Sequence, residues 1–279
     1  MRKIFKNNIW FMALLLVVLI TGCGGGGGDA ASGGGPGPAG AAPDLGTAGT
    51  YGIFASADAG VTLTNPSTLV DGDVGLMDGL GTCTNCDGTT VTGSINNGNA
   101  AAAQAQIDFA AAYTDASTRT TNLCTLAAPT EIAAPQGACT GYTDPPGSIG
   151  PTTFPTYRPG LYWSAGAIDL GVGKLIVLDA AGNANAVFIF QASTAITTGS
   201  YSIVLLMNGA QAKNVFWVAG SAATLGVSST FSGTVIADSA AINVLGGTSG
   251  SPTLVEGRLF SNGAAATVGA HATITVPAP

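Results

Sequence analysis

The sequence predicts a mainly β fold, a three-sided β-solenoid accompanied by one long α-helix. Three observations carry this. Short strand-like runs recur at a period of roughly 20 to 30 residues. The second run of every unit looks alike. Only one segment of the 279 residues reads as helix.

The runs can be laid over one another from Tyr162 onward. Val187–Gln191, Val215–Ala219, Thr234–Asp238 and Arg258–Asn262 occupy the first position. Thr194–Thr197, Ser221–Thr224, Ala240–Asn243 and Ala264–Thr267 occupy the second. Ser202–Leu206, Ser229–Ser232, Thr253–Val255 and Ala272–Val276 close each unit. A looser unit precedes them, from Leu161 through Ala167–Leu170 to Lys174–Leu178. A β-sandwich would use similar strands, but it would not require the second run to repeat.

Stacked strands lie about 4.8 Å apart and their side chains alternate between inside and outside. In the second runs the apolar Ile196, Ala223, Ile242 and Ala266 should point inward. One outer column is then Ala195, Ala222, Ala241 and Ala265. Another is Thr197, Thr224, Asn243 and Thr267, which Asp169 and Thr62 would extend. A slip of one residue would exchange inside for outside.

The helix is predicted from Asn99 to about Thr121, an Ala-rich stretch free of Gly and Pro, with Asn97 or Asn99 as its cap. Ile107, Ala110, Ala111 and Thr114, with Ala103 a turn earlier, form the expected packing stripe, and Phe109 and Tyr113 lie towards another side. After it, about residues 122–157 carry six prolines and read as a long irregular insertion, stapled by cysteines.

The first 22 residues read as a signal peptide. Arg2, Lys3 and Lys6 precede an apolar stretch from Ile9 to Ile20. Ile20-Thr21-Gly22-Cys23 resembles the lipobox of bacterial lipoproteins, which implies cleavage before Cys23 and lipid on that residue. Gly24, rather than Asp, then favours the outer membrane in a Gram-negative cell. Residues 23–43 would be a lipidated Cys and a flexible Gly/Ala/Pro-rich tether with a reach of roughly 25 Å. The folded domain is expected over 44–279, exported, lipid-anchored at the bacterial cell envelope and monomeric, touching the membrane through its anchor only.

Composition excludes several classes of function. Only 8% of residues are charged and the net charge is −7, so there is no basic patch for nucleic acid. Four cysteines remain beside Cys23, namely Cys83, Cys86, Cys124 and Cys139. Outside the cytoplasm they predict two disulfides, with three connectivities open. Zinc would need Cys124 and Cys139 to converge on the Cys83-Thr-Asn-Cys86 pair, and a redox role lacks the βαβ context. His271 is the single histidine, and Glu131 and Glu256 are the two glutamates, far apart in sequence. Asp71 and Asp73 have no further calcium ligands at suitable spacing. Gly24–Gly28 has neither the preceding strand nor the following Lys of a phosphate loop. The expectation is a protein with no catalytic residues, metal or cofactor.

Leu45–Phe54, Val70–Gly75, Ala186–Gln191, Asn208–Trp217 and Val255–Leu259 resemble the ice-binding-protein-like family, and the domain so implied runs from Asp44 to Val276. The resemblance implies a discontinuous right-handed β-solenoid, triangular in section, with the helix packed alongside and late coils completing the stack below the N-terminal ones. It implies ice as partner and an antifreeze, recrystallisation-inhibiting or ice-adhesion role. Ice binders of the family use a flat face bearing Thr-Ala/Gly-X-Thr/Asn motifs. Thr194-Ala195-Ile196-Thr197 matches in full, and Ser221-Ala222-Ala223-Thr224 keeps the first hydroxyl. The runs containing Ala241 and Asn243, and Ala265 and Thr267, lose that first position. Asp169 would place a strongly hydrated charge in the row. The alternative is a cell-surface adhesin or structural solenoid holding polysaccharide or another cell. Tyr201, Phe231 and Phe260 form no aromatic row that would favour sugar.

Overall fold

All the extended strand pairings are parallel, as expected when each run lies on its counterpart in the next layer. This is seen in a computed structural model in which residues 39–55, 60–77, 79–126, 130–133 and 154–278 are described. The signal segment, Cys23, residues 24–38 of the tether and Cys139 lie outside the described residues. The last five residues of the expected flexible tether, 39–43, are instead held on the domain: Ala39 is buried in the cluster around Phe109, and Arg119 donates to the Ala39 and Ala41 carbonyls at 2.6 Å. All described residues belong to one compact unit, Gly33–Pro279. The architecture is mainly β, with two parallel sheets and one helix.

The second runs build an eight-stranded sheet. Its order is Cys83–Thr84, Val61–Leu63, Ala266–Val268, Ile242–Val244, Ala223–Leu225, Ile196–Thr198, Ile168–Leu170 and Thr130–Glu131. The first and third runs form the larger sheet. In two units the third run continues into the next first run as one long strand, Thr230–Ala237 and Thr253–Ser261. Gly233 and Gly257 are paired within these strands, and a Cβ on Gly257 would strike the Gly233 carbonyl. Two backbones this close tolerate only glycine.

Stacking order and chain order differ. The first strands lie beside the last, with Ile53 opposite Leu259, Leu69 opposite Thr273 and Thr62 opposite Thr267. The chain then crosses to the far end, restarts at Thr130–Glu131 and works back. The helix Ala100–Thr118 lies between these two parts of the chain. Its 19 residues span about 28 Å at 1.5 Å each, close to the roughly 34 Å of eight stacked strands. Asn99 caps it, its side chain accepting from the Ala102 N–H at 2.9 Å.

The helix packs through a different face from the predicted stripe. Ala102, Ala105, Phe109, Ala112 and Ala116 are buried, whereas Ile107 is 63% exposed and Ala103, Ala110, Ala111 and Thr114 face outward. The reason is Phe109, whose ring lies 6.1 Å from Phe54 and 5.3 Å from Phe260. One large ring buried between two others outweighs a stripe of methyl groups. Near the helix C-terminus, Gln191 donates to the Ala116 carbonyl at 2.7 Å. The first-run strands Phe188–Ala192 and Val215–Ala219 are therefore buried on both faces.

Inside the stack an aromatic ladder runs from layer to layer. Tyr162, Phe190 and Trp217 are register partners and stack at 4.9 and 4.2 Å. The Trp217 indole satisfies its donor on the Ser232 carbonyl at 3.0 Å. The stretch read as an irregular insertion supplies the end layer at its two ends, as the strands Leu123–Leu126, Thr130–Glu131 and Thr156–Tyr157. Residues 134–153 lie outside the described residues.

Candidate functional site

The eight-stranded sheet brings the predicted outer residues into one row. Register partners link Thr84 to Thr62, Thr62 to Thr267, Thr267 to Asn243, Asn243 to Thr224, and Thr224 to Thr197. Asp169 and then Glu131 follow Thr197. All of them are exposed or half-exposed. Each is preceded in its strand by a residue that is buried or packed against the core: Cys83, Val61, Ala266, Ile242, Ala223, Ile196, Ile168 and Thr130. Alternation in a three-residue strand places the middle residue outside once its neighbours are apolar.

A second row of small residues lies beside the first. Backbone bonds to its carbonyls tie the layers together: Ala266 to Gly60, Ile242 to Ala265, Ala223 to Ala241, Ile196 to Ala222 and Ile168 to Ala195, all within 2.9–3.2 Å. Ala195, Ala222, Ala241 and Ala265 are half-exposed. Gly60 continues the row where a Cβ would collide with the Thr82 backbone. The motif-opening positions Thr194 and Ser221 sit before this row, and Ser221 donates its N–H to the Thr194 carbonyl at 2.9 Å.

Charge is confined to one end. Burial, and then the neighbouring Glu131, raise the Asp169 carboxyl above its ordinary value, while a hydrogen bond from Thr197 acts the other way. Glu131 is held by the Ala133 N–H at 2.9 Å and the Gly171 N–H at 2.8 Å. From Thr197 to Thr84 the row is six rungs of neutral side chains, roughly 24 Å long. These rungs offer methyl groups, hydroxyls and one amide. Among these six rungs there is no ionisable acid or base.

The other candidate residues have structural partners. Asp71 accepts from the Thr92 hydroxyl at 2.7 Å, and Asp73 from the Ser94 N–H at 2.7 Å and the Thr50 hydroxyl at 2.6 Å. These bonds tie successive layers together. Among the described residues no group of three His, Cys, Asp or Glu could hold a metal ion. Cys83 pairs with Cys86, and Cys124 is also disulfide-bonded. Phe231 and Phe260 are buried and Tyr201 is exposed, so these three form no aromatic surface row. Sequence reasoning missed Thr84, although Thr82-Cys83-Thr84 carries the same out-in-out pattern as the other runs.

The model of the family described as Ice-binding-like matches residues 55–275. The chain is 33% identical over 193 residues to an ice-binding protein of Nostoc sp. (strain HG1), which covers 69% of this chain and 61% of that protein. It thus spans about three fifths of that relative's length. It is 30% identical over 213 residues to ice-binding protein K3-B1 of Typhula ishikariensis, covering 72% of this chain and 79% of that one. The crystal structure of the ice-binding protein from the Antarctic ascomycete Antarctomyces psychrotrophicus superposes with a TM-score of 0.65 at 26% identity. That match covers 85% of this chain and 100% of the other.

Proposed function

This chain belongs to the Ice-binding-like family, and from that premise we propose that it binds the surface of ice crystals through the row Thr62, Thr267, Asn243, Thr224 and Thr197 and the adjoining Ala row. The observation that carries the reading is the continuity of that row in register across successive parallel strands.

Ice differs from liquid water only in order, so an ice binder must recognise a lattice by regularity. Parallel stacking repeats each outer side chain about every 4.8 Å. Threonine adds a β-branched side chain with few rotamers, so its methyl and hydroxyl keep a fixed geometry. The Ala row keeps the neighbouring surface low. Charged groups would bind liquid water too strongly to join an ice-like layer, and the six neutral rungs have none. Thr194 and Ser221 add hydroxyls along the same edge.

The arrangement proposed around this face is a right-handed, three-sided solenoid in a monomer. Cys23 carries lipid, and the segment from residue 24 up to Ala39, where the chain packs against the domain, tethers it to the envelope. The test uses the compact unit Gly33–Pro279, which holds both buried clusters. Wild type should facet ice crystals and produce thermal hysteresis. Thr224→Tyr, which raises a ring in the middle of the row, should lose most of that without a change in thermal midpoint. Round crystals and no hysteresis from the wild type at high concentration would overturn the reading and favour adhesion to another surface.

A further inference from the structure

We propose that Thr84 is the terminal rung of the ice-binding row and that the Cys83–Cys86 disulfide is the clasp that holds it in register. The inference rests on the ice-binding reading above and adds to it a residue and a positioning device.

Cys83–Thr84 is the outermost strand of the eight-stranded sheet, and it is two residues long. A strand at an edge has neighbours on one side only, and so short a strand has little ladder to hold it. Yet its register continues the row: Cys83 lies opposite Val61 and Thr84 opposite Thr62. Val61 donates its N–H to the Thr82 carbonyl at 2.9 Å, so Thr82 likewise continues the inner row beyond Gly60. Both rows therefore end on threonine, and both threonines are exposed.

The disulfide brackets this rung. Cys83 and Cys86 are both packed against the buried core, while Thr84 between them faces out. The Cys86 sulfur lies 3.8 Å from the carbonyl oxygen of Thr84. The same turn is tied at Asn85, whose side chain donates to the Leu63 carbonyl at 2.7 Å, with its backbone in the left-handed region at φ 58°. Asn97 reaches the Gly81 carbonyl at 3.1 Å on the other flank. A loop of four residues constrains the unfolded chain far less than a long one, so this cross-link does little for global stability through chain entropy. Its effect is local: it fixes the rung that the ladder alone would leave to fray.

The test compares Thr84→Tyr, the pair Cys83→Ala/Cys86→Ala, and the triple variant, in the Gly33–Pro279 unit. Reduction by a thiol is unsuitable, because Cys124 is disulfide-bonded as well. Thr84→Tyr should lower hysteresis, by less than Thr224→Tyr does, with an unchanged thermal midpoint. The alanine pair should lower it to a similar extent. The triple variant should show no further loss, because both changes remove one rung. Methyl relaxation gives a second readout: without the disulfide, the Thr84 methyl should become mobile while that of Thr224 stays rigid. Full activity of Thr84→Tyr beside an impaired Thr224→Tyr would overturn this inference and leave the ice reading standing. A rigid Thr84 methyl and unchanged hysteresis in the alanine pair would overturn the clasp. A wild type that leaves ice round would overturn both.

Discussion

Asp169 lies directly opposite Glu131 across the last pairing of the row, with Thr197 opposite it on the other side. Two acids side by side end the neutral run. Burial first, and Glu131 second, raise the Asp169 pKa above the ordinary 3.8. A carboxyl raised in the folded state destabilises the fold once it is charged. Its contribution is neutral below the ordinary value, and stability is lost as pH rises from there through the raised one. Asp169→Asn should therefore raise the thermal midpoint at pH 7, with the difference from wild type vanishing at about pH 3. Calorimetry at the two pH values checks this. The same variant places a neutral amide, like that of Asn243, on a seventh rung, and hysteresis at pH 7 should increase.

The helix tests how the molecule is held together beside its face. Phe109 is completely buried between Phe54 and Phe260, and Phe109→Ala should cost about 3–5 kcal/mol. Ile107→Ala, two residues away on the exposed side, should stay within roughly 0.5 kcal/mol of wild type. Denaturant unfolding of the two variants measures the difference. Equal losses would restore the stripe predicted from the sequence.

Trp217 stacks on Phe190 at 4.2 Å and bonds to Ser232, so it joins neighbouring layers of the core. Trp217→Ala should cost about 3–5 kcal/mol. Hysteresis per folded molecule near 0 °C should persist if the outer row keeps its register. A loss of hysteresis in fully folded protein would mean that the face depends on this part of the core for its flatness.

The row was legible in the sequence because its strands are short and sharply patterned. Ile196, Ala223, Ile242 and Ala266 each stand between two small or polar residues, and that contrast sets which way the threonines point. The helix face was not legible for the opposite reason. Alanines lie all round Ala100–Thr118, so periodicity offers no contrast, and the side that packs is chosen by Phe109 finding Phe54 and Phe260 from distant parts of the chain. Thr84 was hidden by its neighbours. A Cys-x-x-Cys string reads as a cross-link before it reads as a strand, and pairing with Val61 and Thr62 is visible only once the layers are stacked. The strands Leu123–Leu126 and Thr130–Glu131 were masked in the same way by the prolines that follow them.

The most direct measurement of the central claim is partition between ice and liquid. Polycrystalline ice is grown slowly in a dilute solution of Gly33–Pro279, and the protein in each fraction is measured. Ice binding through the Thr197–Thr62 row predicts that wild type is taken into the ice and that Thr224→Tyr is left behind. Exclusion of the folded wild type into the liquid, as for a protein with no affinity for ice, would contradict the account.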